Sequence, residues 1–128
     1  FAVQPFGNVL SVQEMSGAQF VALLEEQFTG GSLLQVSSNL TYAFREGAPG
    51  GSKVVSDSVK IDGVGVQPAD RVRVVVNGYV ADGGDGFTLF GAGTDRRNGP
   101  VDVDALATYL DSGGAVRVLE KHCVTRLP

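Results

Sequence analysis

The sequence predicts an α+β domain, a mixed and mostly antiparallel sheet accompanied by a few helices, and three observations carry that prediction. Apolar and polar residues alternate over many short segments, the pattern of strands buried on one face. Only two stretches repeat their apolar residues at helical spacing. Clusters of Gly, Pro and Asp punctuate the chain between these segments, where turns belong.

Taken in order, residues 9–14 alternate as a strand and run into a helix signal. Ser16 with Gln19 forms a capping box, Met15 and Phe20 stand at the staple positions, and Phe20, Leu23, Leu24 and Phe28 recur on one helical face. Gly30 and Gly31 end that helix. Residues 33–37 and 40–45 read as short strands, and 46–52 as a turn rich in breakers. Two longer strands are expected at 53–61 and 71–79, separated by Asp62-Gly63 and Gln67-Pro68-Ala69-Asp70. Residues 87–90 suggest a further short strand. A helix follows at 102–111 with Val103, Leu106 and Leu110 inward, and residues 116–123 form a last strand.

With 128 residues and 43% hydrophobic content, the chain suits a single domain (residues 1–128) with a real core and is too short for two ordinary ones. It starts at Phe1 without a methionine and soon enters a strand, which reads as a piece of a longer protein. Fourteen acidic residues against ten basic give a net charge of −4. Nucleic-acid polymers are therefore excluded as partners, because a phosphate backbone demands clustered Lys and Arg. Arg71 and Arg73 alternate in a strand and Arg96 and Arg97 sit in a polar loop, both pairs reading as solvated faces. The single cysteine, Cys123, rules out an intrachain disulfide and reads as a small buried hydrophobe. No run approaches the roughly 18 apolar residues of a membrane span.

Residues 77–87, Asn77-Gly78-Tyr79-Val80-Ala81-Asp82-Gly83-Gly84-Asp85-Gly86-Phe87, are the most telling. An apolar run ends there and a loop made largely of backbone begins. Gly83, Gly84 and Gly86 permit positive φ and bring main-chain N–H groups close to a ligand, with the Asp85 carboxylate projecting between them. That suits a ribose or another polyol, whose paired hydroxyls donate to a carboxylate. A tight hairpin in which Asp82 and Asp85 cap the backbone fits these residues equally well.

Catalytic equipment is missing. Two-metal phosphate hydrolysis needs several His, Asp and Asn ligands holding ions roughly 3.5–4 Å apart, and the only histidine is His122. Neighbouring residues of a strand point to opposite faces, so His122 and Cys123 do not chelate together. No serine lies in a nucleophile-elbow sequence. The reading is of no catalytic and no metal-ligating residue in this chain.

Four phrases in order, Gln4-Pro5-Phe6-Gly7-Asn8, Ser16-Gly17-Ala18-Gln19, Leu33-Leu34-Gln35-Val36-Ser37 and the Gly-Gly-Asp-Gly loop between Tyr79 and Phe87, span most of the chain. Together they resemble the C-terminal domain of the bacterial 5'-nucleotidase family. These are secreted two-domain metallophosphoesterases that include UDP-sugar hydrolase and 2',3'-cyclic-nucleotide phosphodiesterase. The resemblance implies a nucleoside pocket in which Phe6 and Tyr79 sandwich the base, Asn8 bonds its edge, Asp85 takes the ribose hydroxyls, and Gly83 and Gly84 shape the loop. It also implies an N-terminal metallophosphoesterase domain of the same polypeptide as partner, holding two divalent metal ions and the catalytic histidine, and a location outside the cytoplasm. This chain would then supply specificity for a nucleotide and none of the chemistry. Tyr79 stands where the family often has phenylalanine, and Ser37-Ser38 where many members carry glycine. Two other readings remain: a non-catalytic surface binding module, and the equivalent domain of a non-nucleotide hydrolase such as a thiosulfohydrolase.

Overall fold

The computed structural model describes residues 7–30, 33–112 and 123–128. Phe6, His122 and all of the expected 116–123 strand except Cys123 lie outside the described residues. Strand β1 (Val9–Ser16) continues without a break into helix α1 (Gly17–Gly30). The capping box forms as the sequence predicts: the Gln19 amide N–H donates to Ser16 Oγ at 3.1 Å and the Ser16 N–H to Gln19 Oε1 at 2.9 Å. Met15 and Phe20 are both buried in the core. Gly17 is fixed by packing, since a Cβ there would lie 1.9 Å from the Gln67 carbonyl oxygen. The 67–70 loop crosses the helix start, and its Asp70 carbonyl accepts from the Gly17 N–H at 2.7 Å.

Strand β2 (Leu40–Arg45) follows, then the short strands β3 (Lys60–Ile61) and β4 (Val64–Gly65), and then β5 (Arg71–Asn77). The single turn α2 (Gly78–Ala81), strand β6 (Thr94–Val101), helix α3 (Asp102–Asp111) and strand β7 (Val124–Leu127) complete the described order. The strands divide between two sheets. One has β1 in the middle, antiparallel to β5 on one edge and to β6 on the other. The second has the order β4-β3-β2-β7, antiparallel except for β2 and β7, which run parallel. Alternation along β1 buries Ser11, Gln13 and Met15 opposite Val76, Val74 and Val72 of β5. Phe20, Leu23 and Leu24 of α1 join Tyr42 and Phe44 of β2 and Val72 of β5 in one core. This is the α+β, mostly antiparallel class that the sequence indicates.

Several expected strands take other forms because a side chain, mostly from a distant part of the chain, takes an amide that a neighbouring strand would bond. Residues 33–37 carry no strand, although Leu34 and Val36 alternate inward onto the core. The Leu34 N–H is taken by Gln27 Oε1 at 3.0 Å instead of by a neighbouring strand. In the 53–61 segment the Lys53 and Val54 N–H groups donate to the Glu25 carboxylate at 2.8 and 2.7 Å. Val54 keeps a single bridge to Phe44, Ser56–Ser58 form a 3-10 turn, and only Lys60–Ile61 remain strand. The 71–79 strand stops at Asn77, and in the 87–90 segment Phe87 precedes a 3-10 helix, Thr88–Ala92, that takes the other three residues. Arg96 and Arg97 belong to β6, not to a loop. Helix α3 has the expected limits, but Val103 and Leu106 are half-buried and Leu110 is 49% exposed, so its apolar face is only partly covered. Arg71 and Arg73 are exposed, each 3.5 Å from the Glu14 carboxylate. Cys123 is half-buried and free.

Gln27, 2% exposed, satisfies every polar atom it carries: its Nε2 donates to Leu24 O and to the Tyr42 hydroxyl, both at 2.7 Å, while Oε1 holds Leu34. Replacing it with leucine strands the Leu34 amide, so Gln27→Leu is expected to cost about 1–3 kcal/mol in denaturant unfolding. Burial raises the Tyr42 phenol pKa above its ordinary value, with the Gln27 hydrogen bond opposing. A raised folded pKa favours the protonated phenol. The resulting stability is complete below about pH 10 and is lost as pH rises through the folded value. Tyr42→Phe is expected to reduce the alkaline loss of melting temperature relative to wild type, and an unchanged alkaline profile would contradict this role.

Candidate functional site

The candidate site stands where β5 ends beside the start of β1, with Asn77 paired to Leu10. Asn77 has an extended backbone, and its Oδ1 accepts from the Val80 N–H at 2.9 Å. This side-chain cap turns the chain from strand into α2 and puts Tyr79 on a helical turn. Gly78 brings that turn against β1, since a Cβ there would lie 3.0 Å from the Val9 carbonyl oxygen. Asn8, half-buried, immediately precedes Val9, and its carbonyl accepts from the first N–H of α3, that of Asp102, at 2.7 Å. Asn8 and Tyr79 are thus brought to one end of the three-stranded sheet.

Beyond α2 the chain wraps round the Tyr79 ring. Gly83 (φ +97), Asp85 (φ +56) and Gly86 (φ +81) all adopt left-handed backbone, and Asp85 does so without being glycine. Gly84 does not. It is required by contact: a Cβ at this position would lie 2.5 Å from Tyr79 Cε1 and 2.6 Å from both Cδ1 and the Tyr79 carbonyl oxygen. The Tyr79 hydroxyl stands 3.5 Å from Asp85 Oδ1, at the outer limit of a hydrogen bond. Tyr79 remains 55% exposed, and Asp85 is exposed. An aromatic surface and a solvent-facing carboxylate therefore stand side by side on a loop anchored by Phe87, which is 2% exposed and meets Phe90 edge-on at 6.2 Å. The hairpin alternative is not what forms. A helical turn and 3-10 turns occupy these residues, and the Asp82 carboxylate pairs with Arg96 Nη1 at 2.7 Å.

Of the residues the sequence picks out, Asn8, Tyr79, Gly83, Gly84 and Asp85 are described, and Phe6 is not. Sequence reasoning missed Arg96, whose Nε also donates to the buried Ser11 Oγ at 2.9 Å. It also missed Glu26, which holds the backbone just after the loop. A separate open groove of about 730 Å³ lies along α1, lined by Val21, Glu25, Glu26, Ser52, Thr88 and Leu89 among others, and none of the expected site residues lines it. Among the described residues no three His, Cys, Asp or Glu side chains stand where they would share a metal ion, and no helix is long and apolar enough to cross a membrane.

A family model described as "5'-nucleotidase, C-terminal domain" matches residues 1–92. Cell wall protein Lmo0130 of Listeria monocytogenes is 36% identical over 92 residues, covering 70% of this chain and 12% of that protein. The trifunctional nucleotide phosphoesterase YfkN of Bacillus subtilis is 33% identical over 96 residues, covering 69% and 6%. Among solved structures, the 5'-nucleotidase precursor of Thermus thermophilus superposes with a TM-score of 0.83 at 35% identity, over 96% of this chain and 26% of that one. The Thermus thermophilus sulfate thiohydrolase SoxB shares the fold, with a TM-score of 0.67 at 24% identity over 94% and 22%. The chain thus spans a small part of each relative, and it belongs to the family of 5'-nucleotidase C-terminal domains.

Proposed function

We propose that this chain is the nucleoside-recognition domain of a 5'-nucleotidase-like phosphohydrolase. The observation that carries the reading is the loop built around Tyr79, which sets an exposed ring beside the Asp85 carboxylate. Tyr79 offers one face to the base, and the family resemblance assigns the opposite face to Phe6. Stacking of this kind contributes about 1–3 kcal/mol per base. Asp85 accepts from the paired ribose hydroxyls, and Asn8 bonds the base edge. Energy gained at the base, remote from the phosphate, becomes orientation at the reacting centre.

The hydrolytic centre belongs, on this reading, to an N-terminal domain of the same polypeptide. Two divalent ions there would supply an activated water and neutralise the phosphate. Among the described residues no three His, Cys, Asp or Glu side chains stand where they would share an ion, which supports assigning the hydrolytic step to that domain. A location outside the cytoplasm is supported by the cell wall relative.

The test is calorimetric titration of adenosine and uridine into the chain, paired with a phosphate-release assay on AMP and UDP-glucose with added zinc, manganese or cobalt. Weak nucleoside binding without phosphate release is expected. Metal-dependent turnover by the pure chain, or no binding of either nucleoside, would overturn the proposal. Asp85→Asn keeps the shape and tolerates the left-handed backbone, so it should weaken nucleoside binding by about 1–3 kcal/mol with little change in melting temperature. Gly84→Ala should act through the ring it strikes, lowering both nucleoside affinity and melting temperature. Gly83→Ala meets no atom within 4 Å. It carries only backbone strain, about 1 kcal/mol, and should leave affinity nearer to wild type.

A further inference from the structure

We propose that Glu26 and Arg96 are positioning residues that hold the Tyr79–Asp85 loop in its ligand-ready form from two sides. The proposal rests on the nucleoside-recognition reading. Three left-handed residues, Gly83, Asp85 and Gly86, fall within a four-residue stretch, so the loop's own local preferences do little to select its shape. Fixing a residue's backbone costs conformational entropy, and a loop left free would meet that cost on binding ligand.

Side chains from distant elements clamp both ends. At the front, Asp82 closes α2, and its carboxylate takes Arg96 Nη1 at 2.7 Å while Arg96 Nε is tied to Ser11 Oγ at 2.9 Å. Ser11 is fully buried in the central strand β1, so the loop's first residue is referred to the middle of a sheet. Asp82 is 69% exposed at its side chain, so charge alone contributes little there, and the Ser11 bond is what fixes Arg96. At the back, the 3-10 helix Thr88–Ala92 has no side-chain cap from its own N-cap residue. Glu26 of α1 supplies one from outside: Oε1 accepts from the Thr88 N–H at 2.8 Å and also from its hydroxyl, and Oε2 accepts from the Leu89 N–H at 3.1 Å. Glu26 and Arg96 make these bonds to the loop's flanks and to Ser11, so they act through the loop.

The experiment measures adenosine affinity, melting temperature and residue-resolved amide exchange for the wild-type chain and for Glu26→Ala, Glu26→Gln, Arg96→Met and Asp85→Asn. Glu26→Ala is expected to lower protection at Thr88, Leu89 and residues 83–87 by about tenfold and to weaken adenosine binding by a similar factor. Leu23 and Leu24 in the core should keep their protection. Glu26→Gln retains one acceptor oxygen and should recover part of both effects, a rescue that a general loss of stability would not produce. Arg96→Met should loosen the front of the loop and weaken binding in the same sense. Asp85→Asn should weaken binding with the loop amides unchanged. Unchanged loop protection in Glu26→Ala, an opened loop with unaltered affinity, or equal loss of protection in loop and core would each overturn the positioning role. Failure of the wild-type chain to bind adenosine or uridine would overturn the recognition reading and this proposal with it. Wild-type binding that Glu26→Ala leaves intact overturns the positioning role alone.

Discussion

Three consecutive polar side chains of α1, Glu25, Glu26 and Gln27, hold the irregular parts of this domain to its core. A buried or half-buried backbone N–H must find an acceptor, and strands usually supply one another. Here the 53–54, 88–89 and 34 amides lie where no ladder reaches them, and α1 provides carboxylate or amide oxygen in each case. The helix thus has two tasks. Phe20, Leu23 and Leu24 bury its apolar face, while the polar residues beside that face bind loops from separate parts of the chain. Charge-assisted bonds from Glu25 and Glu26 are stronger than neutral ones, which suits segments with little apolar surface of their own.

That arrangement explains which parts of the fold are legible in the sequence. Helix α1 can be read because its signals are local: Ser16 and Gln19 are three residues apart and form the expected reciprocal pair. The limits of α3 and of β2, and the position of β1, follow from periodicity in the same way. Segments 33–37, 53–61 and 87–90 mislead because alternation or apolar character reports burial and says nothing about the partner of each amide. Their acceptors lie 7, 28 and 62 residues away, beyond any local pattern. Tyr79 reads as strand for a smaller reason, since the apolar run gives no sign that Asn77 caps a helical turn.

The candidate site is half legible. Glycine density marks the loop and Asp85 as its exposed carboxylate, but the cause at each position differs from the simple reading. Gly83 is needed for its φ, Gly84 for the ring lying on it, and Asp85 itself takes a left-handed conformation that aspartate tolerates better than most side chains. Arg96, outwardly one of a solvated pair, reaches a buried serine in another strand. A charged residue's neighbours across a sheet depend on register, and the β1–β6 register shifts twice.

The parallel strand β7 bears on where this domain ends as a folding unit. It lies along β2 from Tyr42–Val124 to Arg45–Leu127, and Arg126 reaches across to the Glu46 carboxylate just past the end of β2. The family match stops at residue 92, yet strands beyond that point cover one edge of each sheet. A fragment cut at the match boundary would uncover β1 along the side that β6 now occupies and β2 along the side of β7. Two rows of unpaired peptide groups would then face solvent, the condition that leads proteins to associate edge to edge. The stretch that carries the family's signature and the stretch that flanks β1 and β2 with their outer neighbours therefore have different lengths.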